Sequence, residues 1–398
     1  MAYKTKLRTI LAKTEGSSYG VSSSPDGTNA VLVNSDLALT PLAGDTVSRD
    51  IIRPYMGAYE GLLSNTQVQL SMTVEYAGSG TAGTAPRYAT LLRSSRLAET
   101  TMAAALTGTA TAGGSGTITL AVGTSAVDDA YTGMVITITG GTGNGHVGLI
   151  TQYVGSTRVA TVAPYTATFV PAASSTYSIG ANVSYRPIST IDGVSDTSCT
   201  IQYRLGGPSG TEIVHTLTGC RGTATMNHTL GQIPTVTFNI TGLYNAPTDA
   251  SPVTPTYANQ LTPQVFRNDT AGAFRFFGVA GCLQSNTVDF GNQVEYRELI
   301  GCSKEVLITD SAMSGSVVME ATSMATFNPF EQARTDGTLG RLAYLHGTTA
   351  GNRIGLVAPR CDLGLPSYNS AQGVEHFTLP YTMVPSVSGN DELILVYS

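Results

Sequence analysis

The chain has 398 residues, with 12% charged side chains against 41% hydrophobic ones and a formal net charge of −6. That balance excludes a disordered chain, which pairs low hydrophobicity with high net charge. It also argues against a phosphate-gripping nucleic-acid binder, which needs clustered Lys and Arg. Abundant Gly, Thr and Ser beside only four lysines exclude helix bundles, coiled coils and doubly wound folds, and favour strands and turns.

Lys4, Lys6, Arg8 and Lys13 open the chain, but no apolar run follows, so no secretory leader is expected. Residues 4–13 read as a basic arm, 16–28 as a long loop and 30–40 as a strand. Residues 67–75 alternate strictly: Val68, Leu70, Met72 and Val74 on one face, Gln69, Ser71, Thr73 and Glu75 on the other, a half-buried strand. Pro86 opens a short helix with Tyr88, Leu91, Leu92 and Leu97 on one stripe. From Leu106 to Gly180 the only charges are Asp128, Asp129 and Arg158. Strands at 116–121, 134–139, 147–154, 158–162 and 175–179 make this a compact all-β module inserted into a larger domain, with its ends close together. Further strands fall at 213–217, 235–241, 274–279, 285–290, 316–321, 374–379 and 392–397. A Pro-rich linker covers 246–255. Asn328 caps a short helix that begins at Pro329 and ends near Arg334.

Two stretches repeat. Gly44-Asp-Thr-Val47 leads to Arg49-Asp50-Ile51-Ile52, then a strand and the Pro86 helix. Gly291-Asn-Gln-Val294 leads to Arg297-Glu298-Leu299-Ile300, then a strand and the Pro329 helix. Farther on, 213–217 and 235–241 pair loosely with 354–357 and 374–382. The chain therefore reads as a duplicated β domain: residues 1–105 with 181–250, the inserted module 106–180, and the second copy 251–398.

No chemistry-bearing constellation stands out. Gly143-Asn-Gly145-His-Val-Gly148 matches the dinucleotide glycine pattern, but β-like residues follow it rather than a helix, so it reads as a hairpin turn. His146, His215, His228, His346 and His376 are scattered, without metal-ligand spacing. Cys199, Cys220, Cys282, Cys302 and Cys361 read as small buried apolar thiols. No catalytic, cofactor or metal site is expected, no membrane segment, and no enzyme.

Several stretches together carry a resemblance. They include Ile10-Leu-Ala-Lys13, Leu37-Ala-Leu-Thr-Pro41-Leu-Ala-Gly44-Asp-Thr-Val-Ser-Arg49-Asp50-Ile-Ile-Arg-Pro54, and Glu75-Tyr-Ala-Gly-Ser-Gly80. Later ones are Leu217-Thr-Gly-Cys-Arg221-Gly222, Gly242-Leu-Tyr-Asn-Ala-Pro-Thr-Asp249 and Asp289-Phe-Gly-Asn-Gln-Val-Glu-Tyr-Arg297. They resemble the tail tube (major tail) proteins of bacteriophages with long, flexible, non-contractile tails. The resemblance implies mainly β structure, a duplicated β-sandwich or barrel with a short flanking helix in each copy. It implies a structural virion protein of stacked rings whose joined inner sheets line a DNA channel, assembled in the host bacterial cytoplasm. Tape measure, tail terminator and tip proteins would be its partners, and DNA would pass without specific binding. The inserted module resembles small β domains that decorate virions and would project from the tube.

With two copies per chain, homotrimeric rings would be pseudo-hexameric; without the repeat, a homohexamer would serve. Candidate pore-facing acids are Asp45, Asp50 and Glu75, with Glu295, Glu298 and Glu320 as approximate counterparts. Residues 16–28 and 4–13 are candidates for ring-to-ring contact. The alternative function is a tail-tip or spike adhesin binding host-surface glycan; a third is a hydrolase with a dispersed site.

Overall fold

The computed structural model describes residues 3–398 except 17, 166–167, 191–196, 208–209 and 336. The protein is nearly all β, with two α-helices of six residues each, Ala89–Ser94 and Pro329–Arg334, among the described residues. The second helix starts as expected: the Asn328 side chain accepts a bond from Glu331 N at 3.2 Å, and Pro329 occupies the first turn. The first begins three residues after Pro86, and Leu97 opens a strand instead of extending the helix.

One antiparallel sheet runs through both halves. Its order is Ala38–Val47, Leu62–Glu75, Thr235–Leu243, Glu212–Thr229, Leu283–Asp289, Ser314–Glu320, Val374–Met383 and Ser367–Ala371. Its apolar face packs on back strands, forming a single continuous core from Ile10 to Tyr397. In the first half the back strands are Arg8–Thr14, Cys199–Gly206 and the first part of Glu212–Thr229. In the second half they are Ala271–Phe276, Leu339–His346 and Ile354–Leu363.

The same pairing order is met twice. Arg8–Thr14 pairs with Cys199–Gly206 as Ala271–Phe276 pairs with Leu339–His346. Thr248–Ala250 flanks Glu212–Thr229 as Ile394–Tyr397 flanks Ile354–Leu363. The long strand Glu212–Thr229 crosses from the back sheet to the front sheet at a bulge between Thr218 and Arg221. Ile354–Leu363 makes the same crossing and hands its front-sheet role to Ser367–Ala371.

Several sequence expectations change. The basic arm is no arm: Arg8–Thr14 is a strand with Ile10 and Leu11 buried. Behind it Glu15, 1% exposed, accepts bonds from Gly20 N (2.9 Å), Ser198 Oγ (2.8 Å), Thr200 Oγ1 (3.1 Å) and Gly219 N (2.6 Å). Those bonds satisfy a carboxylate that could not otherwise be buried. The expected 30–40 strand is two strands, Ala30–Val31 and Ala38–Val47, because Asn34 N turns aside to bond Thr73 O at 2.8 Å. The 274–279 strand is Ala271–Phe276, ending in a reversal at Phe277 and Gly278, both in the left-handed region. The linker is partly a strand, Thr248–Ala250. Cys199, Cys220 and Cys361 are buried thiols, but Cys282 and Cys302 are exposed, since both lie in loops outside the two sheets.

Residues from Leu106 to Ile179 form a separate seven-stranded sheet. The glycine-rich stretch is its hairpin turn, with Gly141, Gly143 and Gly145 all at positive φ. The module hangs on a stem, Leu97–Met102 paired with Asn182–Pro187, and the stem adds to the back sheet beside Ile394–Tyr397. It does not stand free. Its core continues into Ala343, Leu345, Val357, Ile394 and Val396, the outer face of the second half's back sheet. That explains why Ile394-Leu-Val-Tyr397 does not alternate: both faces are covered. Arg186 Nη2 donates to Asp129 O at 2.5 Å, and Arg341 donates to Thr151 O.

Backbones meet where the module seats. A Cβ on Gly355 would lie 2.3 Å from Gly133 O. Gly355→Val is therefore expected to lift the module off the back sheet, at a cost of about 1–3 kcal/mol. Faster proteolysis within 106–180 and a lower urea midpoint would register it.

Candidate functional surface

The front sheet has one open face, and its residues follow from register alone. Going across the strands, it carries Thr40; then Gln69, Ser71 and Glu75; then Thr235, Thr237 and Asn239. Thr223, Thr225, Asn227 and Thr229 come next. Ser285, Thr287 and Asp289 follow, then Ser314, Ser316 and Glu320, and then Thr378 and Thr382. These are hydroxyls, amides and a few carboxylates, each half-buried or exposed, and the same register also sets Val318, His376 and Pro380 on this face. Neighbours satisfy one another across strands: Ser71 Oγ donates to Asn239 Oδ1 at 2.8 Å, and Thr73 and Thr237 hydroxyls meet at 3.0 Å.

Cations are kept off this face. Arg221 lies in the same register, opposite Thr241, but is only 4% exposed. Its guanidinium stacks 4.9 Å over the Tyr19 ring and donates to Val306 O at 2.9 Å. Burial pushes the Tyr19 phenol up, so it stays neutral at this contact.

At one end of the sheet two hairpins extend past the body. The first joins Ala38–Val47 to Leu62–Glu75 through residues 48–61; the second joins Asn292–Arg297 to Glu305–Ser311 through residues 298–304. The repeated motifs occupy these hairpins. Their tips expose large apolar side chains: Ile51, Ile52, Tyr55 and Met56 on one, Leu299 and Ile300 on the other. A cleft of about 450 Å³ separates the hairpins, lined by Asp45, Asn65, Gln67, Glu295, Arg297 and Glu298 among others.

The six acids singled out in the sequence therefore fall in three places. Asp45, Glu295 and Glu298 share the cleft between the hairpins. Glu298 is held there by Lys304 at 2.9 Å and by the Tyr296 hydroxyl at 2.8 Å, which together keep its carboxyl below the usual range. Glu75 and Glu320 stand on the open face, opposite Thr235 and His376. Traced across the sheet, Glu75 stands level with Ser316, so Glu320 lies four residues farther along its strand. Asp50 is exposed in the 48–61 tip, apart from both groups. Asp289 also lies on the open face, between Thr225 and Ser314. Sequence reasoning passed over it, although its position two residues before Gly291 in the repeated motif was a usable signal. Among the described residues no group of three His, Cys, Asp or Glu side chains is placed to hold a metal ion.

A search of the curated proteins finds no match to the chain. The family model for phage tail tube proteins matches residues 5–393, nearly the whole length. The chain belongs to the phage tail tube protein family and is a structural component of the virion tail.

Proposed function

We propose that three chains close into a ring, that the rings stack into a hollow tube assembled in the host cytoplasm, and that genome DNA passes along the open face of the front sheet. One observation carries this reading: an eight-stranded sheet with a mainly polar open face that presents no lysine and no exposed arginine, unpaired at both edges, Ala38–Val47 and Ser367–Ala371. The two halves are two ring positions, so three chains make six.

The chain contains a pattern for the joint between chains. Inside it, Thr225 to Thr229 pairs antiparallel with Asp289 to Ser285, edge to edge between the halves. By the twofold recurrence, Ser367–Ala371 stands where 225–229 stands, and 38–42 stands where 285–289 stands. Pairing the first with the second of the next chain repeats the internal joint and removes both exposed edges. The inserted module covers the opposite side of the sandwich, so it lies on the outside of the ring.

Passage is passive. Each lysine or arginine on the lining adds an ion pair to phosphate that slows DNA; a lining of hydroxyls, amides and the carboxylates of Glu75, Asp289 and Glu320 offers no such ion pair, and its carboxylates repel phosphate. At the hairpin end Asp45 and Glu295 add carboxylates, while Glu298 is paired with Lys304.

Electron microscopy of the concentrated protein, averaged end-on, tests the ring. Three outer bosses, one per module, support it; six would overturn the duplication, and failure to form rings or tubes would overturn the reading. The lining has its own test. Asn239→Lys with Glu320→Lys places two exposed cations per chain on the face. Tubes of this variant are expected to retain DNA fragments that native tubes release. The retention should weaken with salt, with a log–log slope of about 0.9 per phosphate engaged.

A further inference from the structure

The strand Glu212–Thr229 leaves the back sheet and enters the front sheet at the bulge between Thr218 and Arg221. Cys220 sits on this corner, and the residue directly opposite it on the neighbouring strand is Cys199. Both side chains are fully buried, and the two thiols are hydrogen-bonded to each other. Opposed residues of an antiparallel pair have Cα atoms about 4.5–5.5 Å apart. That lies inside the range of about 4.4–6.8 Å that a disulfide spans. The third buried cysteine, Cys361, is elsewhere, opposite Gly340 and Met383 in the second half.

The surroundings hold the pair in place. Glu15 accepts bonds from the hydroxyls of Ser198 and Thr200, which flank Cys199, and from Gly219 N, which precedes Cys220. Glu15 N donates in turn to Ser198 O at 3.0 Å. One buried residue thus clamps both backbones that carry the thiols. On the adjoining strand Gly242 leaves room for Cys220, since a Cβ there would lie 2.8 Å from its Sγ. Two reacting groups held in contact react in an effectively unimolecular step. We infer that Cys199 and Cys220 are a latent disulfide, reduced while the chain folds in the host cytoplasm and closed by peroxide after the virion leaves the cell. The inference uses from the reading above only the cytoplasmic assembly, and holds whether three or six chains close a ring.

Hydrogen peroxide, close to water in size, is the oxidant. One thiol sulfur takes an oxygen from it, giving a sulfenic acid and one water. The second sulfur attacks the sulfenic sulfur, the S–S bond forms and a second water leaves. Two electrons pass from the sulfurs to the O–O bond, and both thiol protons end in water. Burial pushes the Cys220 thiol up and so slows the step, and cytoplasmic reductants keep the pair open during assembly. Once closed, the bond ties Cys199–Gly206 to the crossing strand where back and front sheets meet. It stabilises the fold by constraining the unfolded chain between 199 and 220.

The full chain with Cys282→Ser and Cys302→Ser tests this, both being exposed loop positions. Of its five cysteines it keeps Cys199, Cys220 and Cys361. After hydrogen peroxide treatment, thiol titration in denaturant is expected to find only Cys361 reactive. Peptide mass spectrometry should show Cys199 joined to Cys220, and the urea midpoint should rise and return on adding dithiothreitol. Adding Cys199→Ala should abolish the rise. Retention of all three thiols, their loss as sulfinic acid without the link, or a link without a midpoint shift overturns the inference. Chain from released virions should carry the link, and chain from host cytoplasm quenched with N-ethylmaleimide should not; a link in both, or in neither, overturns the latent state. The soluble chain answers for the disulfide and electron microscopy for the rings, so either can fail while the other stands.

Discussion

Arg96→Ala is expected to lower the unfolding free energy by about 3–5 kcal/mol, because it strands a buried carboxylate. Arg96 sits just after the first helix, in the left-handed region at φ 74°. Its Nη2 donates to Glu392 Oε1 at 2.8 Å, with both side chains about nine-tenths buried, and its Nε donates to Ile188 O at 2.8 Å. This one guanidinium therefore ties the helix end of the first half, the chain leaving the inserted module and the segment entering the last strand, Ile394–Tyr397. Alanine tolerates the backbone no worse than arginine does, so the loss comes from the charge left behind and from the freed carbonyl. In a chain of this size a loss of about 3 kcal/mol moves a single cooperative transition by only roughly 4 °C. Urea denaturation is therefore the measurement to make. Arg96→Met with Glu392→Leu removes both charges and should recover most of the stability, as apolar replacements of buried pairs commonly do. Equal losses in the single and double variants would show that packing, not the stranded charge, sets the cost.

The strands legible in the sequence are those with one wet face. Residues 67–75 and 235–241 alternate because their outward residues line the open face and their inward residues enter the core. Leu339–His346 and Ile354–Leu363 were harder to read, since much of each strand is buried on both faces, between the main core and the inserted module. Period two vanishes when both faces are dry. The stem strands Leu97–Met102 and Asn182–Pro187 pair across the whole module, and nothing local marks them as partners. The module itself was legible from its scarcity of charge, but its seat on the second half was not, because that contact joins residues such as Leu149 and Gly355 that are far apart in sequence. The acids show the same division. Their presence near strand ends could be read directly; whether they face the cleft, the open face or the tip depended on pairing between distant strands.

Aromatic side chains from both halves pack together around two buried histidines, and acid is expected to open that joint. His228 and His346 are both buried there. His228 is packed edge-on against Tyr76 at 4.9 Å and Tyr344 at 5.3 Å, with Phe266 at 5.8 Å, and its Nδ1 lies 3.0 Å from the Tyr344 hydroxyl. His346 faces Tyr76 and Phe266. Burial holds both imidazoles neutral, pushing His228 down to about 3 and His346 down to about 4, and the His346 ring further disfavours charge on His228. The unfolded chain takes up these protons near pH 6.5, so above that pH neither histidine affects stability. As pH falls from 6.5 towards 4 the unfolded state gains protons that the folded state refuses, and stability drops. At pH 4.5 each histidine is about two units below its unfolded pKa, a loss of roughly 2.5 kcal/mol each. Below about pH 3 both are protonated in either state and the slope flattens. Urea midpoints from pH 7 to pH 3.5 should fall steeply for the native chain. They should fall much less for His228→Gln with His346→Gln, even where that variant starts lower at pH 7. Parallel pH profiles for the two proteins would place the acid response in carboxylates elsewhere and not in this joint.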